Sequence, residues 1–150
     1  MTDMLKTARF ALPLLAVAQA QKEVVHNEAL ALLDALVHAA IEDGPLAVPP
    51  ASPAEGQCWL VDGAATGAWD GEGGKLAVWS GGGWRFAPPR PGMRVVRLPD
   101  GAWLRYHAGA WVVPEEIASP AGGVTIDSEA RSAIAALILL LEAQGILISG

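Results

Sequence analysis

The chain predicts an α+β fold: an N-terminal amphipathic helix, a small antiparallel β meander or barrel rich in Trp and Gly, and an apolar C-terminal helix. Three observations carry this. Residues 21–42 contain neither Gly nor Pro. From residue 55 the texture changes from Ala and Leu to Trp, Gly and Val. Residues 133–141 then form a run with no polar side chain. Apolar residues make up 52% of the sequence and charged ones only 17%, where about a quarter is usual in a globular chain. Apolar surface beyond what one small core can bury points to a contact between copies.

The first helix is expected over residues 19–43, stopped by Asp43, Gly44 and Pro45. Leu30, Leu33, Val37 and Ile41 fall three and four apart on one stripe, which Leu32, Leu36 and Ala40 widen. This is the first expected oligomer interface. His26 and His38 lie twelve positions apart on it, too far to share one metal along a single helix. Upstream, Lys6 and Arg9 precede an apolar stretch, and Ala18-Gln19-Ala20 has the form of a cleavage site. Pro13 breaks that stretch and Asp3 sits before it, so a retained segment packing on the domain is expected. Residues 1–43 are thus read as N-terminal segment and oligomerisation helix, and residues 44–54 as a stiff Pro-rich linker.

Residues 55–113 are read as the β module. Short apolar runs at 57–61, 75–79, 84–86, 93–98, 102–106 and 110–113 alternate with Gly turns. An internal echo runs through it. Residues 77–86 resemble residues 104–113, so that Trp79 with Trp84 and Tyr106 with Trp111 form two equally spaced pairs. Two similar hairpins in one sheet are expected. Cys58, alone and inside a strand pattern, reads as a small hydrophobe. Residues 114–150 are a loop and the C-terminal helix. Asp127 is the expected N-cap, residues 128–144 the helix and Gly145 its end. Its apolar circumference calls for enclosure by symmetry-related copies. Repeated Ile and Leu favours three or more strands over two, and a trimer is expected through Ile134, Leu137, Ile138 and Leu141. No run is long enough to span a bilayer.

Catalytic patterns are missing: there is no Gly-x-Ser-x-Gly elbow, no zinc-binding helix pair and no phosphate loop. The sharpest polar cluster is Asp62, Asp70 and Glu72. A carboxylate pair or a calcium site is one reading, and turn-forming Asp-Gly pairs are the plainer one. No catalytic residue, cofactor or metal is assigned. Arg85, Arg90, Arg94, Arg97 and Arg105 lie close together. They read as solvated strand edges or as an Arg face for a phosphate or acidic sugar. A net charge of −6 argues against nucleic acid as a partner of the whole chain. The aromatic set offers flat faces with polar edges, suited to sugar rings and protein contacts. The candidate carbohydrate-binding residues are Trp79, Trp84, Trp103, Tyr106 and Trp111.

Further residues carry a family resemblance: Gln19-Ala20-Gln21-Lys22-Glu23, then His26-Asn27-Glu28-Ala29, then Pro50 to Gly56, Thr66 to Gly71, Gly83 to Phe86, and Gly109 to Trp111. Together they resemble a domain of unknown function found in phage tail-fibre proteins and in gene transfer agents of alphaproteobacteria. The resemblance implies a fibre, spike or fibre-base component of a phage-like particle, made in the bacterial cytoplasm. Such a component would be homo-oligomeric, expected to be a trimer, docked on other particle proteins and involved in host-surface attachment. The alternatives are a module binding cell-surface carbohydrate and, more remotely, a glycan-degrading enzyme. Nothing in the family pattern supplies catalytic residues.

Overall fold

The computed structural model describes residues 5–15, 22–123 and 127–148. The expected helix residues 19–21 and the cleavage-like Ala18 to Ala20 lie outside them. The chain contains two helices and two sheets, and it divides into two compact units, Met1–Arg90 and Pro91–Gly150.

In the first unit, α1 spans Lys22–Leu36 and is followed by β1 (Ala40–Ile41) and β2 (Asp43–Leu46). Then come β3 (Cys58–Val61), a single 3-10 turn at Gly67–Trp69, β4 (Leu76–Ser80) and β5 (Gly83–Ala87). The sheet order is β2-β3-β4-β5, with β2 parallel to β3 and the other pairs antiparallel. β2 takes up the start of the Pro-rich stretch.

The first helix is shorter than the expected residues 19–43. It ends at Leu36, so Val37 lies beyond it and Ile41 belongs to a strand. The stripe Leu30, Leu33, Val37 and Ile41 is therefore not one helical face. Two features stop the helix. His38 adopts a left-handed φ of 50°, which reverses the chain. The Arg9 guanidinium also donates to the carbonyls of Ala35 (2.8 Å) and His38 (3.0 Å), two acceptors the helix end leaves unused.

Arg9 is held in place by Asp34. This carboxylate accepts from Thr7 Oγ1 (2.7 Å), from the Arg9 amide (2.8 Å) and from the Phe10 amide (2.7 Å). Asp34 is buried, so each bond compensates for the water the carboxylate gave up. Residues 5–15 are thus tied to α1.

The second unit holds β6 (Arg94–Arg97), β7 (Ala102–His107), β8 (Ala110–Val112) and α2 (Ser128–Ala143). The three strands run β6-β7-β8, all antiparallel. Asp127 caps α2, accepting from the Ala130 amide at 2.8 Å. At the other end, the Ile146 amide donates to Leu141 O and the Gly145 amide to Glu142 O. This is the Schellman pattern, with Gly145 at φ +66°. A Cβ there would lie 2.2 Å from Gly101 O, so position 145 requires Gly on two counts. The Trp103 amide donates to Gly145 O at 2.8 Å, fixing the end of α2 to β7.

The two expected hairpins lie in different sheets rather than in one. They are nonetheless equivalent, residue for residue. Trp79 pairs with Trp84, and Tyr106 with Trp111. Each hairpin closes through two residues of positive φ, Gly81 and Gly82 in one (61° and 72°) and Ala108 and Gly109 in the other (50° and 86°). That is the type I′ signature. The equivalence extends to the third strand. Cys58 faces Val78 as Arg94 faces Arg105, and Trp59 faces Ala77 as Val95 faces Leu104. Even the entry matches. The Gly56 amide donates to Trp79 O and the Trp79 amide to Gln57 O, while Gly92, Tyr106 and Met93 repeat the arrangement. One three-stranded meander is therefore built twice.

Replacing Asp34 by Ala leaves two backbone donors and a hydroxyl without their acceptor. A loss of about 3 kcal/mol is expected by urea denaturation, with earlier proteolysis within residues 5–15. Stability within about 0.5 kcal/mol of the parent would contradict the role given to Asp34.

Candidate functional site

The five candidate rings divide between the two units and between sheet faces. In the first unit, side chains alternate across the strands. Trp59, Val61, Ala77, Trp79, Trp84 and Phe86 share one face, which packs with Ala65 and Trp69 as the core. Trp84 is the hub. Its ring meets those of Trp59, Trp69 and Trp79 edge-to-face at 5.6, 5.0 and 5.0 Å. Trp69 arrives from the 3-10 turn in the long β3–β4 connection and is fully buried. Its indole N–H has no acceptor among the described residues, so ring packing holds this plug. Trp79 and Trp84 are half-buried parts of that cluster, not a free aromatic face.

In the second unit Tyr106 and Trp111 meet edge-to-face at 5.4 Å, and Tyr106 Oη donates to Gly109 O. Both rings are half-buried. Trp103 sits on the opposite face of β7, one step out of phase with Tyr106, and is 45% exposed. Arg105 follows it on that face. The register places Arg94 opposite Arg105, and Val112 on its other side. Pro114 and Ile146 complete a groove of about 370 Å³. Sequence reasoning named Trp103, and raised the arginines only as a general Arg face. The signal that separates these residues is the alternation Trp103, Leu104, Arg105, in which Leu104 is fully buried and its neighbours exposed.

Two of the other three arginines in that set have structural partners. Arg85 pairs with Glu28 of α1 at 3.3 Å. Arg97 binds Asp100 and holds its carboxyl below the usual range, chiefly through their side-chain hydrogen bond. Arg90 is exposed. The acidic cluster resolves into turn chemistry. Asp62 accepts from the Ala64 amide, Glu72 pairs with Lys75, and Asp70 is exposed beside them. Among the described residues, no three or more His, Cys, Asp or Glu side chains are grouped to hold a metal. Cys58 is buried, and desolvation pushes its thiol from 9.0 up to about 11. The expected interface residues fall in several environments. Leu33 and Val37 are exposed and Leu30 half-buried, while Ile41 and Ile138 are buried. Ile134, Leu137 and Leu141 are exposed on α2.

A family model described as "Protein of unknown function (DUF2793)" matches residues 26–112, from within α1 through β8. That is more than half of the chain. No curated protein matches the sequence.

Two measurements separate structural from available side chains. Trp84→Ala is expected to cost about 3–5 kcal/mol in chemical denaturation, because it removes the hub of four indoles. Trp103→Ala should stay within about 0.5 kcal/mol of the parent; equal losses for the two would overturn the assignment. The Cys58 thiol should be inert to a disulfide reagent at pH 8 until the chain is denatured. Because its pKa is raised in the fold, the proton it retains stabilises the folded state below pH 9. That contribution is lost as pH rises from 9 to about 11, so a Cys58→Ala variant should show a shallower decline in stability over this window. Rapid native labelling at pH 8 would contradict the burial.

Proposed function

This chain belongs to the DUF2793 family of proteins of unknown function, and we propose that its role is structural and non-catalytic: a component of a phage-like particle that assembles with copies of itself and contributes to attachment at a host surface. One observation carries the reading. On α2, Leu137, Leu139 and Leu140 are 58%, 65% and 61% exposed, and Ile134 and Leu141 are exposed beside them. Fully burying one such side chain is worth about 1.5–3 kcal/mol, so leaving five in water is a cost that association removes. A bundle of three α2 helices covers such a circumference, because neighbours on two sides meet residues on both flanks of each helix. The resemblance carried by Gln19 to Glu23 and His26 to Ala29, to a domain of phage tail-fibre and gene transfer agent proteins, is what suggests the setting.

Helix α2 lies beyond the matched stretch, so assembly is assigned to the segment after the family module. The duplicated meander is then the rigid platform that carries whatever surface is recognised.

Light scattering on the chain at micromolar concentration should give a stable trimer, and Leu137→Glu with Leu140→Glu should convert it to a folded monomer. A parent chain that runs as a soluble monomer over the same range sinks the assembly reading.

A further inference from the structure

The duplicated meander exposes a difference between its two copies. On the face turned toward α1, the first copy carries Cys58, Leu76 and Val78, all buried. The register assigns the same three positions in the second copy to Arg94, Trp103 and Arg105. A covered apolar surface in one copy has become an exposed groove with two guanidinium groups and an indole in the other.

The fold itself gives no reason for these arginines. They are direct cross-strand partners, and like charges in that position are destabilising. Among the described residues, neither guanidinium makes an ion pair or hydrogen bond, unlike Arg85 and Arg97. Among the described residues no carboxylate lines the groove, whose other walls there are Val112, Pro114 and Ile146. The volume of about 370 Å³ lies within the range of small-ligand sites, roughly 300–1,000 Å³.

We propose that this groove binds a carboxylated sugar unit of an acidic polysaccharide. The sugar ring stacks on Trp103, and its carboxylate sits between Arg94 and Arg105, whose planar forks match two carboxylate oxygens. The apolar walls meet the C–H faces of the ring. Removing the like-charge repulsion adds to the attraction. Single-stranded nucleic acid fits less well. It binds along a basic track with successive aromatic platforms, whereas this groove offers one indole on a chain of net charge −6. The inference deepens the attachment part of the proposed function and rests on it.

The test is calorimetric titration of the full chain with polygalacturonate, alginate, methyl-esterified polygalacturonate and an oligothymidylate. At least one of the two acidic polymers should bind, and the ester at least tenfold more weakly than polygalacturonate where the latter binds. Binding should weaken at least tenfold in Arg105→Gln, in Arg94→Gln and in Trp103→Ala, and should fall as salt rises. All three side chains are exposed, so the variants should melt with the parent; for any that does not, Arg105→Lys and Trp103→Tyr replace it and should retain part of the affinity. Ester binding equal to that of the acid form overturns the acidic specificity while leaving a sugar-attachment role standing. Undiminished binding in all three variants overturns the site. A tighter oligothymidylate complex, or no binding of either acidic polymer at millimolar sugar, overturns the inference, and the scattering measurement then decides the assembly reading separately.

Discussion

The two-residue turn is the constraint on which the rest of the molecule depends. With both central residues left-handed, the turn admits one register, so Trp79 must face Trp84 and Tyr106 must face Trp111. A slip of one residue would exchange the two faces of each sheet. In the first unit it would turn the indole cluster outward. In the second it would bury Arg94, Trp103 and Arg105. The backbone bonds that tie Gly56 and Gln57 to Trp79, and Gly92 and Met93 to Tyr106, set the third strand by the same residue of each pair. One aromatic position therefore fixes three strands, in both copies.

What differs between the copies is the connection the meander carries. Between β3 and β4 run residues 62–75, long enough to deliver Trp69 onto the ring of Trp84. Between β6 and β7 run only residues 98–101, closed by the Arg97–Asp100 pair. The inward residues follow suit. Trp59, Ala77 and Trp79 pack with Trp69, whereas the inward Val95, Ala102 and Leu104 are fully buried without an indole among them. The outward residues follow the helices. α1 packs on β4 in the first unit and is tied there by Arg85 and Glu28, which leaves Cys58 and Val78 with no water to meet. The second sheet keeps a polar and aromatic exterior at Arg94, Trp103 and Arg105, and the tail after Gly145 lies beside it.

Much of this was legible in the sequence. Gly-punctuated apolar runs marked β3 to β8, and Asp127 and Gly145 bracketed α2 because capping chemistry is local. The end of α1 was not legible. Val37 to Glu42 has no Gly or Pro, and what stops the helix is Arg9, far away in sequence, acting through Asp34. The hairpin echo was visible at the aromatic pairs, but not its extension to the third strand, since Arg94 and Cys58 share no chemistry. The placing of the echo in two sheets was hidden for the same reason: pairing is a property of backbone, and side chains alone do not record it. Among the tryptophans, type said nothing of role. Phase along the strand did: Trp103 and Tyr106, three positions apart, fall on opposite faces of β7.

The groove and the apolar helix are linked by covalent structure. Ile146, which lines the groove, follows α2 directly, and its position is fixed by the Gly145 turn and the bond from the Trp103 amide. In the proposed assembly each copy contributes one helix to the bundle and one groove to the exterior. A single shallow groove with two charge-assisted contacts supports weak binding at most. A polysaccharide, however, repeats its unit, and three grooves on one particle component meet several units at once. Linking sites in this way raises overall affinity by roughly 10²–10⁴ without any new contact. Exposed leucines on α2 and the facing pair Arg94 and Arg105 look like separate liabilities in a single chain. In that assembly they are two parts of one arrangement, the first bringing copies together and the second gaining its strength from their number.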